Sequence, residues 1–311
     1  MTFSADSTTD DVLDGIDLTG RTALVTGSGA GLGAETVRAL ASAGAAVILA
    51  ARDAAKNDRT IATVRETVPD ARLDARALDL ASLASIRAFA DALPDDLVLD
   101  LLINNAGVMA CPQATTADGF EMQLGTNHLG HFALTARLMP ALLRADAPRI
   151  VNVSSRGHLR SDIHWDDPHF RAHEYDKWIA YGQSKTANVL FTVGLEQRFG
   201  PRGLHSYALH PGVIHTELSR HMDRGDLESL RARVPAVSTP KTVAQGAATS
   251  VWAATSPDLA GRGGLYLEDC RVAEESTGPE GGYARYARDP DAAERLWAWS
   301  EGEIGEQVPL V

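Results

Sequence analysis

Short runs of Val, Ile and Leu alternate along the chain with longer stretches whose apolar residues recur at helical spacing. The apolar runs predict strands over Thr22–Thr26, Ala46–Ala51, Leu73–Leu78, Leu99–Asn104, Arg149–Ser154, Leu204–Leu209 and Gly264–Leu267. Helical patterns fall between them, as at Gly31–Ala43 and Ser82–Ala92. Strands that are apolar almost throughout are buried on both faces. Alternating with helices, they form a parallel sheet covered on both sides. The expected architecture is a single Rossmann-type, doubly wound α/β domain with a mostly parallel, seven-stranded sheet. Two stretches break the alternation: 156–180, polar and rich in His, and 218–239, charged and helical in pattern. Both follow strand ends, where open α/β sheets bind ligands. Both are therefore expected to be substrate-site insertions that shelter a bound ligand.

Composition narrows the function classes. With 311 residues, 44% of them hydrophobic, the chain can build one sizeable core. Its net charge of −12 makes nucleic acid a poor partner, because phosphate binding needs a basic face. The two cysteines, Cys111 and Cys270, form no disulfide framework or metal knuckle, which suits a reducing cytoplasm. The opening "MTFSADSTTDDVLDGIDLTG" carries five Asp, no Lys or Arg, and no apolar run. It reads as a flexible acidic tail over residues 1–17 leading into a domain over 18–311, not as a signal peptide. No stretch approaches the roughly 18 apolar residues of a membrane span.

Two motifs carry candidate chemistry. The first strand runs into "TGSGAGLGAETVRAL", which places Gly27, Gly31 and Gly33 ahead of a helix. Glycines let the chain turn sharply and let a pyrophosphate approach the backbone. The helix N-terminus then offers free N–H groups and the positive end of a dipole. The second motif is "AYGQSKTANVLF". On a helix, Tyr181, Lys185, Asn188 and Thr192 share one stripe, expected to face a cleft. Ala187, Leu190, Phe191, Gly194 and Leu195 form another stripe, expected to pack on the sheet. An ammonium beside a phenol favours the phenolate, so Lys185 is expected to tune Tyr181 for proton transfer. The histidines His158, His164, His169 and His173 lie with Asp162, Asp166 and Asp167 in 156–180. They lack an HExxH-type arrangement and read as a solvated loop, with no metal expected. His128 and His131 are expected to position Asn127 and pack its helix.

The GxxxGxG spacing resembles the TGxxxGxG of the short-chain dehydrogenase/reductase family. Further marks follow in order: Asn104-Asn105-Ala106-Gly107, "TNHLGHF" from Thr126, "IVNVSS" ending at Ser155, Tyr181-xxx-Lys185, and "HPGVIHTEL" from His210. The wording looks most like the branch of retinol dehydrogenases and WW-domain oxidoreductases. The resemblance implies catalysis by Asn127, Ser155, Tyr181 and Lys185: Ser155 polarises a carbonyl, Tyr181 moves the proton, Lys185 also holds the nicotinamide ribose, and Asn127 supports a water relay. It implies a cofactor lying along Gly27, Ser28, Gly31, Leu32 and Gly33. Asp79 and Leu80 would meet the adenine, with Asn105, Ala106 and Gly107 beside its ribose. Pro211, Gly212, Val213 and Thr216 would serve the nicotinamide end.

At the end of the second strand, Ala51 takes the acidic position of NAD-specific folds and Arg52 follows it, while Asp53 reads as a helix cap. NADP(H) is therefore the expected cofactor, with NAD(H) the alternative. The implied substrate is a small ketone, aldehyde or alcohol. Relatives pair as homodimers or homotetramers through two long helices beside the sheet. Two rival readings are reduction of an activated C=C bond and a non-catalytic nucleotide-binding scaffold on the same fold. The separation of 26 positions from Ser155 to Tyr181 exceeds the interval in short family members, which marks 156–180 as an insertion.

Overall fold

The architecture comes from a computed structural model, which describes residues 3–214, 218, 222, 225–226, 240–278 and 281–310. Eight strands form one sheet in the order β3-β2-β1-β4-β5-β6-β7-β8. They are β1 (Thr22–Thr26), β2 (Ala46–Ala51), β3 (Leu73–Ala77), β4 (Leu101–Asn104), β5 (Arg149–Val153), β6 (His205–His210), β7 (Leu265–Glu268) and β8 (Arg271–Val272). The first seven are parallel, and the two-residue β8 adds an antiparallel edge. The seven expected strands are all present, with ends shifted by at most two residues. β8 is too short to announce itself by periodicity.

Helices α1 (Thr9–Leu13), α2 (Gly31–Ser42), α3 (Ala54–Thr67), α4 (Leu83–Asp91), α5 (Met122–Leu124), α6 (Gly130–Leu142), α7 (Lys177–Phe199), α8 (Val243–Thr255) and α9 (Pro290–Ile304) cover the sheet. On one face Val37 and Leu40 of α2 and Val251 and Trp252 of α8 pack against Val25, Leu49 and Ile103. On the other, Phe89 of α4, Phe132 of α6, Phe191 of α7 and Trp297 of α9 pack with Leu24, Leu102 and Ile150. The chain order reverses between β1 and β4, so a crevice opens where their C-terminal ends part. Among the described residues, no helix is long and apolar enough to cross a membrane.

Three expectations need correction. The acidic opening segment is not a solvated tail beyond residue 8. Thr8 and Asp11 form a capping box that starts α1, and Thr9, Val12 and Leu13 are buried in the core. Arg38 holds Asp10 at 2.6 Å and Glu35 at 2.8 Å, so part of the acidic charge is spent on docking α1 to α2.

The stripe assignment on α7 holds only in part. Tyr181 and Lys185 line the cleft as expected, and Phe191 and Leu195 share the core on that face of the sheet. Asn188 and Thr192, expected to face the cleft, lie on the sheet instead: Asn188 donates to Val153 O at 3.1 Å, and Asn152 donates to Thr192 at 2.9 Å. The ladder continues across the strands, with Asn104 donating to Asn152 at 2.9 Å. Ala187 and Leu190 instead meet Leu296 of α9, while Phe191 and Leu195 pack with Trp297. A β-carbon added at Gly194 would sit 3.0 Å from the Trp297 ring. Most of the helix is thus buried, with α9 packed on its outer face.

The insertion 156–180 is not a solvated loop. Asp167 accepts from the N–H groups of Arg171, Ala172 and His173 at 2.8–3.0 Å. These backbone donors, with burial opposing them, hold its carboxyl far below the usual range. Glu121 N donates to buried His169 at 3.1 Å, and Tyr175 donates to Cys111 O at 3.2 Å. The second insertion, 218–239, lies almost wholly outside the described residues.

Candidate functional site

At the C-terminal ends of the strands the crevice widens into a cleft of about 1030 Å³. Gly27, Gly31, Leu32 and Gly33 form its floor at the β1–α2 turn. The turn needs glycine for two reasons. Gly27 and Gly31 have φ of +66° and +56°, the left-handed region. A β-carbon at Gly33 would lie 2.2 Å from Gly27 O. Helix α2 begins at Ala30, which supplies no side-chain cap, so its first-turn N–H groups have no side-chain acceptor. Ser28 departs from the expectation: it is fully buried and donates to Asn57 at 2.9 Å, behind the cleft wall.

Asn105, Ala106 and Gly107 line the next stretch of wall with Asp79 and Leu80. Thr26 sets their course, because its hydroxyl accepts from Asn105 N at 2.9 Å and Ala106 N at 3.0 Å. Arg52 stands exposed at the end of β2, and Asp53 caps α3 through Lys56 N at 3.2 Å, as expected. Lys56 was missed. It lines the same corner of the cleft, its β-carbon 2.7 Å from where one would stand on Gly29. Its place on the first turn of a helix that leaves β2 was the available signal.

Ser155, Tyr181 and Lys185 meet on the opposite wall. Ser155 ends β5, and its hydroxyl accepts from Gly157 N at 3.0 Å. Ser154, one residue earlier, points the other way and donates to Lys185 O at 2.8 Å, which ties β5 to α7. Burial pushes the Tyr181 phenol up to about 12, partly offset by a hydrogen bond with Ser155 and the nearby charge of Arg160. Burial pulls the Lys185 ammonium down to about 7. Its Nζ donates to Val153 O at 2.9 Å and lies 5.7 Å from the Tyr181 ring centroid. Burial is thus the largest influence on the phenol in this structure. Gly157 is a further missed residue: a β-carbon there would stand 2.8 Å from the Tyr181 ring.

Asn127 lies behind this wall, fully buried. It occupies a π-turn over Gly125–Leu129 between α5 and α6. Its amide bonds Val108 both ways, at 2.8 and 2.9 Å, and donates to Ser184 at 2.9 Å. His131 joins Asn127 O and Thr26 Oγ1 through its two ring nitrogens, each at 2.9 Å. Burial holds this imidazole down at about 4, so it is a neutral brace between the glycine turn and the segment of Asn127. His128 bonds Ser300 of α9 at 2.8 Å. Pro211, Gly212 and Val213 close the cleft beyond β6, while Thr216 lies outside the described residues.

The sequence profile of the short chain dehydrogenases matches residues 21–167. A probable oxidoreductase of Streptomyces antibioticus is 47% identical over 91% of this chain and 97% of its own length. Human retinol dehydrogenase 13 is 41% identical over 94% of this chain and 87% of its own. Among solved structures, a putative uncharacterized protein from Mycobacterium paratuberculosis superposes with a TM-score of 0.75. It is 35% identical and covers 99% of this chain and 100% of its own.

Proposed function

The chain belongs to the short-chain dehydrogenase family, and from that premise we propose that it transfers hydride reversibly between NADP(H) and a carbonyl or alcohol, with Tyr181 moving the proton. The observation that carries this reading is the meeting of the Ser155 hydroxyl and the Tyr181 phenol on the wall that faces the glycine turn.

A dinucleotide fits the residues present. The uncapped first turn of α2 and the bare backbone of Gly27–Gly33 suit a pyrophosphate, which would fill the space that side chains vacate. Arg52 and Lys56 at the end of β2, with no carboxylate at the position of Ala51, suit a 2′-phosphate better than a pair of ribose hydroxyls. When bound, the cofactor supplies the hydride for reduction and takes it up in oxidation.

In the reducing direction Ser155 holds the substrate oxygen. The carbonyl π bond breaks as its carbon gains the hydride, and Tyr181 gives its proton to the oxygen. A phenol held near 12 is a protonated donor at neutral pH, which is the state that reduction needs. Lys185, close to half-charged near pH 7, sits where it can return the proton. Asn127 contributes by bracing Val108 and Ser184 around that wall.

Titration of NADPH and NADH against the wild type, Arg52→Ala and Lys56→Ala tests the cofactor reading. NADPH should bind more tightly by about tenfold or more, and each substitution should erode that preference. Equal affinities in the wild type would overturn the assignment.

A further inference from the structure

The substrate end of the cleft carries an unusual charge for this chain. The net charge is −12, yet the only carboxylates lining the cleft among the described residues are Asp53 and Asp79, at the cofactor end. The wall beside Ser155 instead carries Arg156 and Arg160. Arg160 lies 5.1 Å from the Trp178 ring centroid, and its charge reaches the Tyr181 phenol. Arg156 is the residue after Ser155. Its Nε is buried without a hydrogen-bond partner among the described residues. Glu268, whose charge reaches Tyr266 as that of Arg156 does, accepts from Gly282 N at 3.2 Å, and among the described residues no ion pair joins it to Arg156. Lys241, close by, is matched to Asp269 at 2.5 Å.

His210, at the end of β6, adds a second unmatched group. Arg156 N donates to its Nδ1 at 3.3 Å, which leaves the ring proton on Nε2. That Nε2 is also buried without a partner. A buried donor left unpaired is costly, and an unpaired cation costs more. Two such groups stand on one wall, next to the residue that would hold the reacting oxygen, and among the described residues no carboxylate lines that wall to match the guanidinium.

We infer that Arg156 receives a carboxylate of the substrate, so that the carbonyl compound taken by this site is an oxo-acid rather than a neutral lipid or aldehyde. The inference rests on the hydride-transfer reading for the position of the carbonyl, and on the unpaired Arg156 and His210 for the acid. A guanidinium binds a carboxylate through two parallel N–H donors, which would fix the carbonyl's orientation over Ser155 and Tyr181.

The test compares a graded-length series of linear oxo-carboxylates with their methyl esters, assayed with NADPH against the wild type, Arg156→Gln and Arg156→Lys. The wild type should favour at least one acid over its ester by about tenfold or more in kcat/KM. Arg156→Gln should remove that preference mainly through KM, and Arg156→Lys should restore part of it. Calorimetry of the same acids with the NADP⁺-loaded protein supplies a readout independent of turnover. Acid binding that Arg156→Gln abolishes supports the subsite even if no compound is turned over, a result that would count against the hydride-transfer reading alone. Esters favoured throughout, or acids that fail to bind the wild type, would overturn the inference. So would an Arg156→Gln variant whose main loss is in NADPH affinity, since the arginine would then serve the cofactor.

Discussion

The two halves of the cleft are built by opposite means. At the ends of β1–β4 the wall is backbone: glycines too close to their neighbours to carry a side chain, and helix N–H groups that no side chain caps. At the ends of β5–β7 it is side chain: Ser155, Tyr181, Lys185, Arg156 and His210, most of them deeply buried. Around the glycine turn the first half responds to added volume; its basic side chains, Arg52 and Lys56, stand at the corner where β2 ends. The second responds to chemistry, because each of its polar atoms sits where water does not compensate a loss.

The largest expected effect lies in the second half. Tyr181→Phe removes the phenolic proton and leaves the ring against Gly157. Turnover should fall by about 10²–10⁴, the usual contribution of a general acid, while NADPH affinity stays near wild type. Stopped-flow rates with fluorescence titration measure both. A Tyr181→Phe enzyme of near-normal rate would break the contrast, since the chemistry would not reside in that wall.

A smaller effect belongs to the first half. Gly33→Ala introduces a β-carbon 2.2 Å from Gly27 O, a backbone atom that cannot rotate away. Overpacking of this kind costs about 1–3 kcal/mol, so NADPH affinity should fall by about ten- to a hundredfold. The single-turnover rate of the saturated variant should change far less. If Gly33→Ala binds NADPH like the wild type, the turn yields freely and its lack of side chains is not what recognises the cofactor.

The same division governs what the sequence reveals. The glycine turn, Arg52 and the seven parallel strands are legible because a period or a spacing encodes each of them. The Tyr181–Lys185 pair is legible as a pair, but its surroundings are not. The polar face of α7 packs on β5 because Asn104 donates to Asn152, Asn152 donates to Thr192, and Asn188 donates to Val153 O inside the sheet layer. A rule that sends apolar stripes inward cannot anticipate such a ladder. Burial likewise reverses the expected effect on the phenol, and burial is a property of the whole fold rather than of five residues. The docking of α1 was hidden for a related reason: acidic composition reads as solvated until Arg38 of α2 is seen to receive it. The histidines of 156–180 read as loop for want of knowing that Glu121 and Tyr266 wait across the fold.

Deuterium tracing tests hydride transfer to a carbonyl most directly. NADPH labelled at the transferred C4 position is incubated with the enzyme and a carbonyl substrate, and the product is read by mass spectrometry and NMR. The account predicts one deuterium on the new carbinol carbon, an exchangeable proton on its oxygen, and loss of the label transfer in Tyr181→Phe. An unlabelled product would contradict it. So would a product that keeps its carbonyl and carries deuterium on a carbon of a former C=C bond, which would make the enzyme a double-bond reductase.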